Sequence, residues 1–309
     1  MPFPVVALLP EADRPALTVV VPSVNGWGDL AGCLAALEAQ RNDVALEVLV
    51  PDRLGAALQV RIMAGFPAVR VLPAPSDSTI PQLRALAFAE ARGEAVAVIE
   101  DHVLVPGGWA RAMLACVAAG EDVVGGAVEN AATETLVDWA AFLCEYSQLL
   151  PPLDAGPVAG ITGNNTVYRR SVLERYREAW SAGRWEDHLH SVMRQSGVML
   201  YQHPEIVVGH RKHYSVGEYA EQRYLYARSY AGMRMTGKPW SVRLMFGLAA
   251  LLLPALLLAR ICRTVWRKAR YRGLLLRSVP LLVVFVACWG LGEVVGYWGG
   301  AGTALSRVK

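Results

Sequence analysis

Between Leu17 and Val124, short unbroken apolar runs alternate with segments of helical spacing, and that alternation leaves few folds open. The runs are Leu17–Pro22, Leu46–Val50, Val69–Leu72 and Ala95–Ile99, and Val123-Val124 begins another. Leu30, Cys33, Leu34 and Leu37 recur at helical spacing up to Gln40, and further helices are expected over 80–91 and 109–119. A strand that is apolar at every position is buried on both faces. Alternation with helices therefore predicts an α/β chain with a mainly parallel, doubly covered sheet. In such sheets the ligand crevice lies at the carboxyl ends of the strands. Asn25, Asp52 and Glu100-Asp101-His102 all fall just past predicted strand ends, so that edge is the candidate site.

Further along, residues 130–157 read as a surface excursion over the sheet. Gly160 to Val167 reads as a turn into a strand, followed by Arg169-Arg170 and a helix to about Trp180. Trp185 to Gln195 is expected to be helical, with acids at its start as the helix dipole favours. Val198 to Val208 reads as an edge hairpin, and Glu218 to Met235 as a helix rich in Arg and Tyr.

The last third has a different character. From Ser241 onward there are ten Lys/Arg and one acid, Glu293, for a charge of +9, whereas the first 240 residues carry −6. Two apolar spans occupy this tail, Leu244–Ala259 with Pro254 inside it and Ser278–Gly292, which reaches Leu305 if Glu293 is tolerated. Seven bases lie between Arg260 and Arg277. A bilayer crossing takes about 20 residues. The positive-inside rule disfavours placing the basic linker opposite a cytoplasmic globular part. The expected arrangement is an interfacial or re-entrant first span, a cytoplasmic basic linker and one crossing helix, with two full crossings as the alternative. A basic, apolar tail behind an acidic globular part points to a lipid bilayer and not to nucleic acid. The five cysteines are odd in number, with no two close together and no C-x-x-C, which argues against a disulfide framework or a zinc site and fits a reducing compartment. Met1 to Pro10 lacks a basic leader and is interrupted by three prolines, so it does not read as a signal peptide.

Leu17-Thr18-Val19-Val20-Val21-Pro22-Ser23-Val24-Asn25 resembles the opening strand of the family 2 glycosyltransferases with the GT-A fold. Leu30 to Gln40 resembles their first helix, and Glu47 to Asp52 their second strand, which usually ends in two acids. Arg84 with Ala91-Arg92-Gly93-Glu94 resembles their "R-N…A-x-G-E" segment. Ala95 to His102 resembles the strand carrying the D-x-D motif, and Pro106-Gly107-Gly108-Trp109 its usual sequel. Thr162-Gly163-Asn164-Asn165 through Arg170 is similar to their acceptor-side strand. Glu186-Asp187 resembles their "E-D" pair, and Gln222-Arg223-Tyr224 is a distant relative of the Q-x-x-R-W element of processive members. The resemblance covers residues 17–235.

It implies a GT-A, Rossmann-like domain over 1–238, and the apolar spans behind it read as a membrane-associated helical tail over 239–309. The resemblance implies an inverting enzyme that moves a sugar from a UDP-, GDP- or dTDP-linked donor to an acceptor, and the tail adds the expectation that this acceptor is lipid or lipid-linked and lies at the cytoplasmic face of the cell membrane. Pro22, Ser23, Asn25, Asp52, Arg84, Glu100 and Asp101 would bind the donor. Gly163, Asn164 and Asn165 would lie on the acceptor side. Asp101 and His102, with His210 as a late addition, would hold a divalent metal, Mn2+ or Mg2+. Asp187, or Glu186, would be the general base. Three positions depart from the pattern. Arg53 replaces an acid, Ala85 replaces an asparagine, and His102 ends the D-x-D analogue with a ligand better suited to Mn2+ than to Mg2+.

Blander readings stand beside these. Asp52 suits a turn after a strand, Glu100-Asp101 a helix cap, and Glu186-Asp187 a solvated helix face. Arg53 either contacts a phosphate or sits in solvent. His188 and His190 suit a helix surface or core, and Trp139 and Trp180 suit the core. The Arg and Tyr residues of 218–235 suit interfacial anchoring. A catalytically inactive membrane scaffold and a nucleotidyltransferase are the alternative functions. The second would want a basic glycine-rich loop, and Ser23 to Asp29 contains no Lys or Arg.

Overall fold

The apolar runs become the centre of a nine-stranded mixed sheet. The computed structural model describes residues 14–309, so the reading of Met1–Pro10 lies outside the described residues. The first strands and helices alternate as expected: β1 (Leu17–Val20), α1 (Trp27–Glu38), β2 (Leu46–Asp52), α2 (Ala56–Gly65), β3 (Val69–Pro73), α3 (Ile80–Glu90) and β4 (Ala95–Ile99). Every residue of β1, β2 and β4 is buried, which is what unbroken apolar runs require of a sheet covered on both faces. β1 pairs in parallel with β2 and β4, and β2 with β3. The patterning does not single out α2, whose apolar contribution is confined to Leu58 and Ile62.

The sheet continues through β5 (Val103–Leu104), α4 (Trp109–Ala118) and β6 (Val123–Asn130). Next come α5 (Leu136–Tyr146), β7 (Gly156–Val158) and β8 (Asn165–Arg169). Two short helices, α6 (Arg170–Arg175) and α7 (Arg177–Ser181), stand where one was expected. They are followed by α8 (Glu186–Gln195) and β9 (Leu200–His210). The strand order is β3-β2-β1-β4-β8-β6-β9-β5, with β7 on β9. β8 runs antiparallel to β4 and β6. The expected edge hairpin over 198–208 is instead one 11-residue strand inside the sheet. The expected surface excursion contains α5, opened by a Thr135/Asp138 capping box and carrying buried Trp139, Phe142 and Leu143.

Two close approaches hold the layers. At the amino end of the sheet, Gly93 donates its N–H to Thr18 Oγ1 (2.8 Å), and an added Cβ would meet Thr18 N at 2.5 Å. Below α3, Phe88 sets its edge against Tyr168 (6.1 Å) and Trp180 (5.7 Å). Such pairs add about 0.5–1.5 kcal/mol each beyond area burial.

The chain divides into two compact units, one of residues up to 129 and 153–209 and one of 130–152 and 210–309. The sheet and its covering helices make up most of the first. The second holds α5, α9 (Val216–Arg234), α10 (Trp240–Ala249), α11 (Leu253–Lys268), α12 (Arg272–Gly299) and α13 (Ala304–Arg307). A 3-10 turn over Ala250–Leu252 separates α10 from α11, so Pro254 opens a helix rather than kinking one. Trp240–Lys268 and Arg272–Gly299 are each long and apolar enough to cross a membrane.

Candidate active site

The register gathers the expected residues on one rim. Val20 lies beside Leu49 and Val98, so the carboxyl ends of β1, β2 and β4 are level. Beyond β1, Ser23 bridges to Asp52 and donates its N–H to the Pro51 carbonyl (2.9 Å). Asn165 pairs with Ile99, which brings Gly163 and Asn164 up to the end of β4.

Asp101 faces inward. Its Oδ2 accepts the backbone N–H groups of Val24 (2.8 Å) and Asn25 (2.9 Å), and its Oδ1 accepts the Asn25 amide (2.7 Å). Oδ1 also lies 3.0 Å from His102 Nδ1. Burial works to raise the Asp101 carboxyl. The bonds from His102, Asn25 and Val24 outweigh it and hold the group below the ordinary carboxylate value. Burial likewise opposes charge on His102, but its bonds to Asp101 and Glu100 raise it to about 10. With both oxygens of Asp101 engaged, the expectation that it ligates a metal does not fit this geometry. Glu100 and His102, whose Oε2 and Nε2 lie 3.3 Å apart as an ion pair, are the pair that could turn to a cation once the His102 ring gives up its proton. Their spacing is about that of neighbouring ligands around a cation with bonds near 2.1 Å. His210 closes β9 in the second unit, with its ring 4.7 Å from that of Tyr146.

Asp52 is buried and accepts from Leu54 N (3.2 Å), Gly55 N (3.0 Å) and Gln59 Nε2 (3.0 Å), which is the work of a turn and helix cap. Arg53 is buried rather than solvated and donates to the Ser78 carbonyl (2.8 Å).

A second cluster joins α3, the β8 approach and α8. Arg84 Nη1 pairs with Glu186 Oε2 (2.7 Å), and its Nη2 donates to the Gly163 carbonyl (3.1 Å). Gly163 N donates to Glu186 Oε1 (3.2 Å), closing a three-way clamp. Asp187, one residue on, is exposed, and its Oδ1 accepts the His188 N–H (2.9 Å). Helix α8 thus turns one acid inward as a strut and leaves the other in the open. A small pocket adjoins the clamp, lined by Pro81, Arg84, Gly163, Trp180 and Arg184 among others. The motif reading does not pick out Arg184; its sequence signal is a lone base in the turn before α8.

Gly163 has no room for a side chain. An added Cβ would sit 2.6 Å from Arg84 Nη1 and 2.7 Å from Glu186 Oε1. Gly163→Ala must open the clamp, and we expect it to lose about 1–3 kcal/mol in urea unfolding.

Asn165 has every polar atom engaged inside the protein. Its amide N–H groups go to the carbonyls of Ala127 and Ile206, and its oxygen accepts Trp109 Nε1. Asn164 is the opposite case. It is buried, yet neither polar atom of its amide finds a partner among the described residues, and the same holds for Ser23 Oγ. Buried groups of this kind call for an explanation, and both lie on the rim.

Beneath the clamp, His190 Nε2 meets Tyr168 Oη at 2.7 Å. Burial, opposed by Glu186 and reinforced by Arg84, pulls His190 down to about 4. The unfolded chain therefore takes up this proton below about pH 6.5, while the folded chain resists until about pH 4. The stabilising difference is present above 6.5 and is lost as pH falls through that window. We expect about 2–3 kcal/mol to disappear between pH 7 and pH 4.5, and His190→Gln to flatten that part of the curve in urea titrations.

A family model described as Glycosyl transferase family 2 matches residues 18–177, a little over half of the chain. The chain belongs to this glycosyltransferase family. Among solved structures, this glycosyltransferase is similar to the mannosyltransferase PcManGT from Pyrobaculum calidifontis, in complex with GDP-Man and Mn2+. The likeness has a TM-score of 0.57 at 17% identity and covers 93% of this chain and 88% of that one. TarS 1–349 of S. aureus gives a TM-score of 0.48 at 14% identity over 92% of this chain and 91% of that one. Identities this low speak to the fold alone. No curated protein sequence matches.

Proposed function

We propose that the rim binds a nucleotide-sugar donor and that the enzyme transfers its sugar with inversion. The observation that carries this reading is the pair of buried, unpartnered polar groups, Ser23 Oγ and the Asn164 amide, on a rim with an exposed acid close by in sequence to the clamp. Ser23, Asn25 and the turn capped by Asp52 form the nucleotide side. Glu100 and His102 would hold a divalent cation, which neutralises charge on a diphosphate when bound. A carboxylate with an imidazole suits Mn2+, and the mannosyltransferase relative was solved with Mn2+ and GDP-Man. A GDP-linked donor is therefore the first to try.

Asp187 is the base in this reading. Its carboxylate takes the proton of the acceptor hydroxyl as that oxygen forms its bond to the anomeric carbon. The bond from that carbon to the diphosphate oxygen breaks on the opposite face, and the nucleoside diphosphate leaves with the electron pair. Glu186 cannot do this while it braces Arg84 and Gly163. Residues 1–238 would carry the chemistry and 239–309 would hold the enzyme at the cytoplasmic face of the cell membrane, where a lipid-linked acceptor is within reach.

The test is thermal shift and calorimetry on the detergent-purified protein with UDP, GDP and dTDP, each with and without Mn2+. We expect GDP to stabilise the protein more strongly with Mn2+, and Glu100→Gln to abolish the metal's share. Silence from all three nucleotides at millimolar concentration would sink the transferase pocket.

A further inference from the structure

The second unit shows what lies beside its long apolar helices. Helix α9 runs alongside α12 from Phe285 to Gly300. Tyr219 packs on Phe285 with ring centroids 4.6 Å apart. Arg223 stacks on Trp289 at 5.4 Å and pairs with Glu145 at 3.0 Å. Gly292 and Gly296 let the α9 backbone come close, since an added Cβ would meet Tyr224 O at 2.4 Å and Arg228 O at 2.6 Å. Glu293 faces Arg234 at 3.9 Å, and Arg228 donates to the Gly300 carbonyl. At the other end of α12, Arg272 and Arg277 are exposed, and Arg270 in the preceding bend donates to the Pro151 carbonyl.

Charge therefore accompanies α12 at both ends. At most Ser278–Cys288 is clear of it, and these 11 residues span about 16 Å. The hydrocarbon core of a bilayer is about 30 Å thick. The uncharged part of α10 and α11, Leu244–Ala259, is 16 residues or about 24 Å, bounded by Arg260 and by Arg243, which bonds the Tyr297 carbonyl. Neither helix offers a full crossing free of charge.

The other side of the pair is apolar and open. Met245, Leu248, Leu251, Leu252 and Leu256 are exposed on the first helix, and Leu276, Val283, Val284 and Leu291 on the second. Exposed Arg260, Arg263, Arg267, Arg272 and Arg277 cluster at the bend. Polar helices along one side, apolar side chains along the other and bases at one end make an interfacial element suited to anionic headgroups.

We infer that the α10–α12 hairpin seats in one leaflet of an anionic bilayer and does not cross it. This replaces the arrangement of one crossing helix expected from the sequence. It rests on the membrane-bound reading above and specifies its geometry: both ends of the hairpin and its bend stay on one face.

Three exposed glycines with open space for a side chain report on it: Gly217 at the start of α9, Gly273 at the bend and Gly299 at the end of α12. Each is changed singly to Cys with Cys116, Cys262 and Cys288 replaced by Ala. Each variant is then labelled with an impermeant maleimide in sealed membrane vesicles of both orientations. The expected result is labelling of all three from the same face and protection of all three from the other. Gly273 alone on the opposite face would mean a spanning hairpin. Gly299 alone there would mean one crossing by α12, and both there would mean one crossing by α10–α11. Any of these overturns the inference while leaving the anchor reading intact. Protein found free of the membranes would overturn both. Trypsin on the unmodified chain gives a second readout, since cleavage at Arg211 and at Arg267–Arg272 is expected from one and the same face.

Discussion

Asp187→Asn is expected to lower turnover by about 1,000-fold while donor-nucleotide affinity stays within about twofold. The expectation comes from how α8 divides its two opening acids. Asp187 is exposed and its Oδ1 accepts the backbone N–H of His188 in its own helix, a bond that the amide oxygen of an asparagine can also accept. Glu186 is bonded to Arg84 and Gly163, and Arg84 is itself buried. Glu186→Gln leaves that guanidinium without its counter-charge, so its main effect is on stability, at about 3 kcal/mol. Transfer rates with nucleotide affinity measured by calorimetry separate the two. A clean loss of turnover at Glu186, with Asp187→Asn active, would exchange the roles and refute the assignment of the base.

The parallel half of the sheet was legible because β1, β2 and β4 are buried on both faces, and burial of that kind leaves an unbroken apolar run. Helix α5 was hidden by the Pro151-Pro152 and polar residues around it, although Thr135-x-x-Asp138 before an apolar stretch is a capping-box signal. Pro204 and Gly209 read as punctuation, yet β9 runs through both. For the candidate site, the sequence order predicts that these residues share one rim, where the fold does gather them, but not which way they point. Residues 100–103 form a turn after β4, closed by Val103 N–H to the Glu100 carbonyl (3.0 Å), so strand alternation does not foretell that Glu100 and His102 meet while Asp101 faces inward. What no spacing reveals is occupancy. Asp52, Asn165 and Glu186 are bonded within the fold, whereas Ser23 and Asn164 are left with groups to offer. Likewise the apolar spans were plain, but Arg223 and Arg234, which accompany α12 beside its own Glu293, come from α9, about 60 residues earlier in the chain.

Asp101→Ala is expected to destabilise the protein by about 3–5 kcal/mol in the absence of any metal or nucleotide. The substitution removes the acceptor of two backbone N–H groups, of the Asn25 amide and of the His102 ring, all in a setting where water does not reach Asp101. The consequence is a fall in apparent Tm of roughly 5–10 °C, together with loss of the turn that places Ser23 and Asn25. A carboxylate kept to ligate a cation behaves in the opposite way. Removing it relieves repulsion in the metal-free protein, so stability without metal is unchanged or improved and only the response to Mn2+ disappears. Glu100→Gln is expected to lose the response to Mn2+ and, without metal, to cost less than Asp101→Ala, since its 3.3 Å pairing with His102 goes but the backbone N–H groups held by Asp101 keep their acceptor. Melting both variants in a chelating buffer and then with Mn2+ decides between the two roles. If Asp101→Ala melts like the unaltered chain in the chelating buffer, the inward-facing strut is refuted and Asp101 returns to the metal.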